Sequence, residues 1–472
     1  MINNNILANI SSALLANIVT TVVSIVVIFF LPKYVEVLEY GMWQLYVLYI
    51  SFIGFFHFGW IDGIYLRYSG ISIEFWNKKL FFCQVIAFVI FEVIVSLLGL
   101  VLACIFFKNT EMYILINFVC VVIPAYNLYW LSLYILQITN RIKDYAKLMI
   151  IERSLFVIMM LFAIYFNFIG FENLLLMNTI SIYVATIYGV LLIRNTFLLG
   201  SIDFAELYRE VCININVGSK LLLANFVGIL VVGIFRLGIS YNWGIETFGK
   251  VSLALSILHF MMILVNALSV VFFPIFKSMS LFMLRTNYSQ LRIITSVIFL
   301  GGLLLHYPIT NMLNWWLPKY YESYSYLLFL FPMMLYEGVL MLLTNNYLKT
   351  LRKESIIFKV SLMSLIISSV LMLISIFGLN DLKAAIYSIL LLNVFKCIIS
   401  EYCLEKELNI NLKKIIFLES SMIMLFTVLC SGIVLYEYGL LVFFLFYLIY
   451  IYNYRCVLSN KEGIIYRWYD IK

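Results

Sequence analysis

The chain is a succession of long apolar runs divided by short polar breaks. Each run is close to the ~20 residues that an α-helix needs to cross ~30 Å of hydrocarbon. About fourteen runs qualify: 7–31, 41–66, 80–106, 112–137, 147–168, 173–193, 219–240, 250–273, 293–317, 324–347, 356–378, 383–403, 415–436 and 438–457. No Lys or Arg precedes the apolar run Ile6–Leu31, which is longer than the apolar region of a secretory leader. It therefore reads as a retained first span.

Composition removes the soluble alternative. Of 472 residues, 64% are hydrophobic and 12% charged, with a mean hydropathy of +1.04. Soluble domains are about half apolar and a quarter charged, and their cores stop growing near ~250–300 residues. The solvent for this surface must be lipid. A net charge of +7 in a soluble chain would suggest nucleic acid. Here its distribution supplies the reason. The alternate breaks 67–79, 138–153, 194–220, 274–292, 348–359, 404–414 and the tail 455–472 hold 24 of the 31 basic residues. Lys33, Lys108, Lys250, Lys319 and Lys383 fall on the other side, and only Arg236 and Lys396 remain inside spans. A 24 to 5 split follows the positive-inside rule, placing both termini in the cytoplasm and making a nucleic-acid partner unnecessary.

The predicted fold class is an all-α integral membrane protein of about fourteen transmembrane helices, arranged as two six-helix lobes plus two C-terminal helices. The external connections are short, and the cytoplasmic break at 194–218 is the longest. Its segment "SIDFAELYREV" has the distribution of an interfacial amphipathic helix. The expected organisation is a first lobe at 1–200, a linker at 201–218, a second lobe at 219–408, and two further helices with a tail at 409–472. Parallel repeats of this kind suit alternating access.

The eight cysteines are scattered without a C-x-x-C pair, and His57, His259 and His306 share no metal-ligand spacing. No cofactor is expected. "GIETFGKV" at 244–251 approaches the phosphate-binding loop G-x-x-x-x-G-K-[ST], but Val251 stands where the hydroxyl should be. No strand precedes it, and the topology puts it outside the cell.

Other positions carry stronger signals. Span 1 has small residues at Ala8, Ser12, Ala16, Thr20 and Ser24, flanked by Asn9, Ala13, Asn17 and Thr21. That stripe fits close helix packing or one wall of a polar cavity, with Asn17 near mid-span. Glu92, His259, His306 and Glu337 lie near the middle of spans, where ionisable groups are costly and mark functional candidates. His306 and Glu337, in consecutive spans, could form an interhelical hydrogen bond or a protonatable pair coupled to a gradient. Arg236 and Lys396 either snorkel toward the nearer surface or face a cavity, where a guanidinium grips phosphate bidentately. "FGWIDGIYLRYSG" at 58–70 places Asp62 and Arg67 among three glycines at the inner end of span 2. Trp43, Trp60, Trp315 and Trp316, with Tyr320 and Tyr321, sit near predicted boundaries and read as interfacial anchors.

Several stretches together carry a resemblance. They are "NILANISSALLANIVTTVVSIVVIFFLPKYV" at 5–35, "YGMWQLYVLYISFIGFFHFGWIDGIYLRYSG" at 40–70 and "FRLGISYNWGIETFGKVSLALSI" at 235–257. "FFPIFKSM" at 272–279 and "LPKYYESYSYLLFLFP" at 317–332 complete the set. With the span count and the long linker, the chain resembles the Wzx-type polysaccharide or O-antigen repeat-unit flippases of the multidrug/oligosaccharidyl-lipid/polysaccharide exporter superfamily. The resemblance implies transport of undecaprenyl-diphosphate-linked oligosaccharide across the bacterial inner membrane. It also implies two helical lobes around a cationic cavity, coupling to H⁺ or Na⁺, and work beside a polysaccharide polymerase and a chain-length regulator. By the same resemblance Arg236 and Arg67 become diphosphate candidates, with Asn17, Lys396 and Asp62 as further substrate contacts and Glu92, His306, Glu337 and His259 as ion-coupling groups.

The expected activity breaks no covalent bond, so no catalytic constellation is required. A drug or cation antiporter of the same superfamily is the nearest alternative, and a membrane polysaccharide polymerase the enzymatic one. Polymerases usually carry a sizeable external loop, which this chain lacks by the predicted topology.

Overall fold

A computed structural model of the chain describes residues 4–430 and 436–455 apart from 109, 111, 199, 201 and 202. For residues 4–17, 264, 270, 436 and 437 it describes the backbone only. The expected side-chain stripe at Ala8–Asn17 therefore lies outside the described side chains. The protein is an all-helical, multi-pass membrane protein, with no β-strand among the described residues. Eight helices are long and apolar enough to cross a membrane, or up to ten if each of two bent pairs is one span. Shorter apolar helices occupy Ile18–Tyr34 and Tyr438–Asn453. Each expected span overlaps a helix.

The chain divides into two compact units, Met1–Ile229 and Leu230–Lys472. The first contains α1 (Asn4–Tyr34), α2 (Val37–Ile53), α3 (Trp60–Tyr68), α4 (Lys78–Phe106), α5 (Met112–Ile138), α6 (Ile142–Tyr165), α7 (Phe171–Ile193) and the start of α8 (Phe204–Ser278). Its organising element is α5, which packs against α2, α3, α4, α6 and α7. Half of the α5 apolar window is buried, against 22% for α4. The difference is one of place. On α4 the side chains of Ile90, Ile94, Leu97, Leu98, Val101 and Leu102 all point outward, an apolar surface that suits hydrocarbon and not water.

The second unit contains the remainder of α8, α9 (Leu281–Gly302), α10 (His306–Trp316), α11 (Tyr321–Leu330), α12 (Met333–Val339), α13 (Asn345–Thr350), α14 (Glu354–Met372), α15 (Leu382–Leu408), α16 (Lys413–Val428) and α17 (Tyr436–Asn453). Here α15 is central, touching α9, α11, α12 and α14. The α8 stretch breaks at Gly244 (φ 82°, ψ 176°), between two expected spans. The segment 204–218, expected as an interfacial helix, forms the beginning of α8.

Local sequence sets the helix ends. Asn77, Ser280 and Asp381 cap the starts of α4, α9 and α15 by accepting backbone N–H bonds. Asn140, Asn167, Asn380 and Asn409 take positive φ at or near helix ends, a conformation that a short polar side chain tolerates. Inside the spans, Ser24, Ser132, Ser364, Ser369 and Ser388 each donate to the carbonyl four residues earlier, so these hydroxyls are satisfied within their own helix.

Two expectations are corrected. Trp43 and Trp60 are not interfacial anchors: both are buried, Trp43 stacked 5.2 Å from Phe156 and Trp60 edge-on to Phe88. Trp315, by contrast, is exposed. Arg292 was counted among cytoplasmic basic residues, yet α9 begins at Leu281 and leaves its side chain 1% exposed. The boundary of an apolar run marks where the charges begin, not where the helix begins.

One close approach shapes the first unit. A Cβ on Gly63 would overlap the Asn214 backbone, and one on Gly218 would overlap Gly59 and Gly63. Glycine at these positions lets α3 and the start of α8 touch backbone to backbone. Gly218→Val should therefore lower the thermal unfolding temperature of the detergent-solubilised protein, costing about 1–3 kcal/mol by overpacking. Gly228→Ala, on the same helix with open space around it, should be neutral or slightly stabilising.

Candidate functional site

The first unit holds a cavity of about 280 Å³ lined by α2, α3, α5 and the start of α8, together with the turn at Gly54–His57. Its shape comes from a broken helix. Residues 37–57 and 60–68 meet at 65°, and the break is made by Phe58 (φ 51°) and Gly59 (φ 87°). Two consecutive left-handed residues cannot continue an α-helix. The left-handed conformation at Phe58 is uncommon for a non-glycine residue and is held by its surroundings.

The break also arranges the polar groups. Gly59 N–H donates to His57 Nδ1 at 3.0 Å, so the ring proton of a neutral imidazole resides on Nε2. That nitrogen lies 3.9 Å from Asp62 Oδ2, too far for a direct hydrogen bond and within reach of one bridging atom. Both side chains are buried within the unit and line the cavity. The Tyr134 hydroxyl lies against the Asp62 carboxylate. Ser51, Asn127 and Asn225 add further hydrogen-bonding groups, and Tyr126, Trp130, Phe55 and Phe226 supply aromatic faces. No Lys or Arg is among the described residues lining it. Hydroxyls, amides and one carboxylate between aromatic faces suit sugars, which stack on rings and exchange hydrogen bonds with such groups.

Glu92 lies behind this wall. It is fully buried, and Asn127 Nδ2 donates to its Oε2 at 2.8 Å. Glu92 Oε1 and Asn127 Oδ1 have no hydrogen-bond partner among the described residues. The cavity and the buried carboxyl are thus one amide apart.

Arg67 lies outside the cavity lining. Its guanidinium forks onto Glu210 at 2.8 and 3.2 Å and donates to Asn214 Oδ1 at 2.6 Å. Asn214 in turn donates to Gln84, and Tyr68 also reaches Glu210. Arg67 therefore holds α3 to the start of α8 beside the glycine contact. Asn17 falls outside the described side chains.

In the second unit, Arg236 donates to Ser252 Oγ at 3.1 Å with its guanidinium 5.2 Å from the centre of the Phe248 ring. Glu337 on α12 is acted on by Lys396 on α15 and by His259 on α8. Lys396 and His259 are thus near enough to Glu337 to favour its charged form electrostatically. His306 is not part of that group: it sits edge-on between Phe331 and Phe426 at 5.3 and 5.9 Å.

His57, Asn127, Tyr126, Trp130 and Tyr134 were not among the sequence-derived site residues. Their signal was present but diffuse: an asparagine in the apolar run 112–137, and the pair Gly54 and Gly59 within a span.

No protein-family model matches the sequence, and no curated protein sequence does. Solved structures share the fold. An inward-facing multidrug resistance MATE family transporter of the MOP superfamily aligns with a TM-score of 0.61 at 11% identity, over 83% of this chain and 98% of that one. The lipid II flippase MurJ in an inward closed conformation aligns with a TM-score of 0.57 at 13% identity, over 96% of this chain and 100% of that one. At such identities the likeness is one of fold.

The Glu92–Asn127 bond should be strongly coupled. Asn127→Leu strands a buried carboxyl and should destabilise the solubilised protein by about 1–3 kcal/mol. The double variant Glu92→Leu/Asn127→Leu should recover most of that loss in the same thermal or denaturant measurement, since paired apolar replacement can be nearly neutral.

Proposed function

We propose that this chain is a flippase of the bacterial plasma membrane, moving undecaprenyl-diphosphate-linked oligosaccharide from the inner to the outer leaflet by alternating access. The observation that supports it most is the aromatic and polar cavity at His57, Asp62, Asn127 and Tyr134, inside a unit whose outer surface is apolar. A sugar–diphosphate head cannot cross hydrocarbon with its polar groups unpaired. A protein that moves it must shelter the head while the polyprenyl tail stays in lipid. The fold shared with a lipid II flippase supports the same reading.

In this scheme the cavity of the first unit receives sugar, with Trp130 and Tyr126 as aromatic faces beside it and hydroxyls meeting Asp62, His57 and Asn127. In the second unit, taken by itself, Arg236 is the candidate phosphate contact: a guanidinium offers phosphate a planar, bidentate fork that no ammonium can match. Lys396 and Asn17 stand as further substrate candidates, whereas Arg67 is committed to Glu210 and Asn214. Glu337, on which Lys396 and His259 act, and the buried Glu92 stand as proton or sodium coupling groups. A cation exporter is the second reading, and one observation favours it: the cavity is lined by the Asp62 carboxylate and by no Lys or Arg among the described residues.

Reconstituted liposomes carrying a fluorescent undecaprenyl-diphosphate oligosaccharide separate the two. Wild type should move the lipid under an ion gradient, and Arg236→Ala should slow it at least about tenfold, equivalent to ~1.4 kcal/mol. Wild-type rate in Arg236→Ala rejects diphosphate binding there. Export of a cationic dye that is lost in Asp62→Asn and unchanged in Arg236→Ala would favour the exporter. Glu337→Gln should retain downhill flipping and lose its dependence on the gradient. Unchanged gradient dependence removes Glu337 from coupling.

A further inference from the structure

By sequence Arg153 belongs to the basic break 138–153. The structure places it instead halfway along α6 (Ile142–Tyr165), about 16 Å beyond the first residue of that helix. The helix is long and apolar enough to cross a membrane. A guanidinium at such a depth is costly unless it fronts protein or water.

Helical geometry decides which surroundings it has. Ile158, Leu161, Phe162 and Tyr165, the exposed large apolar side chains of α6, lie about 80–180° around the axis from Arg153. Ala146, Phe156, Val157 and Met160 are all buried and lie within about 60° of it. Arg153 therefore stands on the protein-facing arc, yet its side chain is 58% exposed. An exposed charge on the buried side of a membrane helix fronts a polar opening, not hydrocarbon.

Most of its donors are uncommitted. Nε stands 3.1 Å from Glu152 Oε2, and Nη1 and Nη2 have no hydrogen-bond partner among the described residues. Consecutive residues of a helix do not face each other, so Glu152 meets the guanidinium at its Nε edge and leaves the end-on fork of Nη1 and Nη2 open. Residues 4–17 of α1, described by backbone only, contain no Asp or Glu, so no carboxylate is hidden there. Arg67 and Arg292, by contrast, fork onto carboxylates. Tyr126 and Tyr129 on α5 are near enough to Arg153 to interact with it electrostatically. Tyr126 also lines the cavity that holds Asp62 and Asn127. The guanidinium thus neighbours the cavity without lining it.

Resting on the transport reading, we propose that Arg153 is an anion-binding residue of the first unit. Its Nη1–Nη2 fork takes two oxygens of a phosphate or carboxylate on the same ligand whose sugar enters the cavity. One unit then holds both a neutral and an anionic part of that ligand. Such an anion comes either from the diphosphate of a lipid carrier or from an acidic sugar. Its binding makes and breaks no covalent bond.

Arginine-selective labelling of the full wild-type chain in lipid nanodiscs, with water-soluble p-hydroxyphenylglyoxal and peptide mass spectrometry, tests the site. Arg153 should be modified, and the fully buried Arg292 should not. Inorganic pyrophosphate, titrated to saturation, should slow modification of Arg153 at least about tenfold, and glucose should leave it unchanged. Protection by pyrophosphate assigns the anion to a diphosphate, whether or not glucuronate competes. Protection by glucuronate alone assigns it to an acidic sugar. An unmodified Arg153, or one protected by neither anion, overturns the site. In liposomes carrying lipid-linked oligosaccharide, Arg153→Gln should raise KM at least about tenfold, with Arg153→Lys recovering part of the loss. A wild-type KM in Arg153→Gln also overturns it, and the labelling arm decides alone if that variant does not fold. If wild type moves no such lipid while pyrophosphate still protects Arg153, the transport reading fails and the anion site stands.

Discussion

The structure depends on one constraint: where water is absent, every polar group must find its partner within the protein. Helices meet it for the backbone, which is why the chain is helical throughout its described spans. Hydroxyls meet it by bonding to their own helix, as Ser24 and Ser364 do. Charges cannot meet it alone, and three buried or half-buried ones show how they are held. Arg292 rests between two carboxyls, Glu92 against Asn127, and Arg236 beside Ser252 and over Phe248.

The same constraint decides where helices break. A break frees backbone groups, and in lipid those need a polar neighbour or a cavity. At Phe58–Gly59 the freed Gly59 N–H bonds to His57, and the bend opens the cavity that His57 and Asp62 share. The bend of 50° between Pro318–Leu330 and Met333–Thr350 lies two turns before a π-helical segment at Leu340–Thr344. Beside that segment, Asn346 donates to Ser269 and to the Leu342 carbonyl, and the Ser269 hydroxyl donates to the Met341 carbonyl. Irregular backbone and polar side chains occur together because each satisfies the other.

Charge placement follows two rules that the sequence alone does not separate. Some basic residues obey topology and stay near water: Lys353 and Glu407 form an exposed pair of the ordinary weak kind. Others are structural. Arg67 has the position of a positive-inside residue, yet its fork onto Glu210 and its bond to Asn214 reinforce a backbone contact made by Gly59, Gly63 and Gly218. A single count of Lys and Arg includes both kinds.

The sequence by itself determined the solvent, the secondary structure and the approximate places where helices begin and end. Those properties depend on apolar length and on local residues such as Asn77, Ser280 and Asp381, and they need no knowledge of distant neighbours. It also marked Glu92, His259, His306 and Glu337 as ionisable groups costly at mid-span. Which of them meet was decided only by tertiary structure. Asn127 reaches Glu92 across 35 positions, and Arg292 reaches Glu401 and Glu419 across 109 and 127. Pairing at such separations depends on which helix faces turn toward one another, and hydrophobicity that is nearly uniform around a membrane helix carries little record of that rotation.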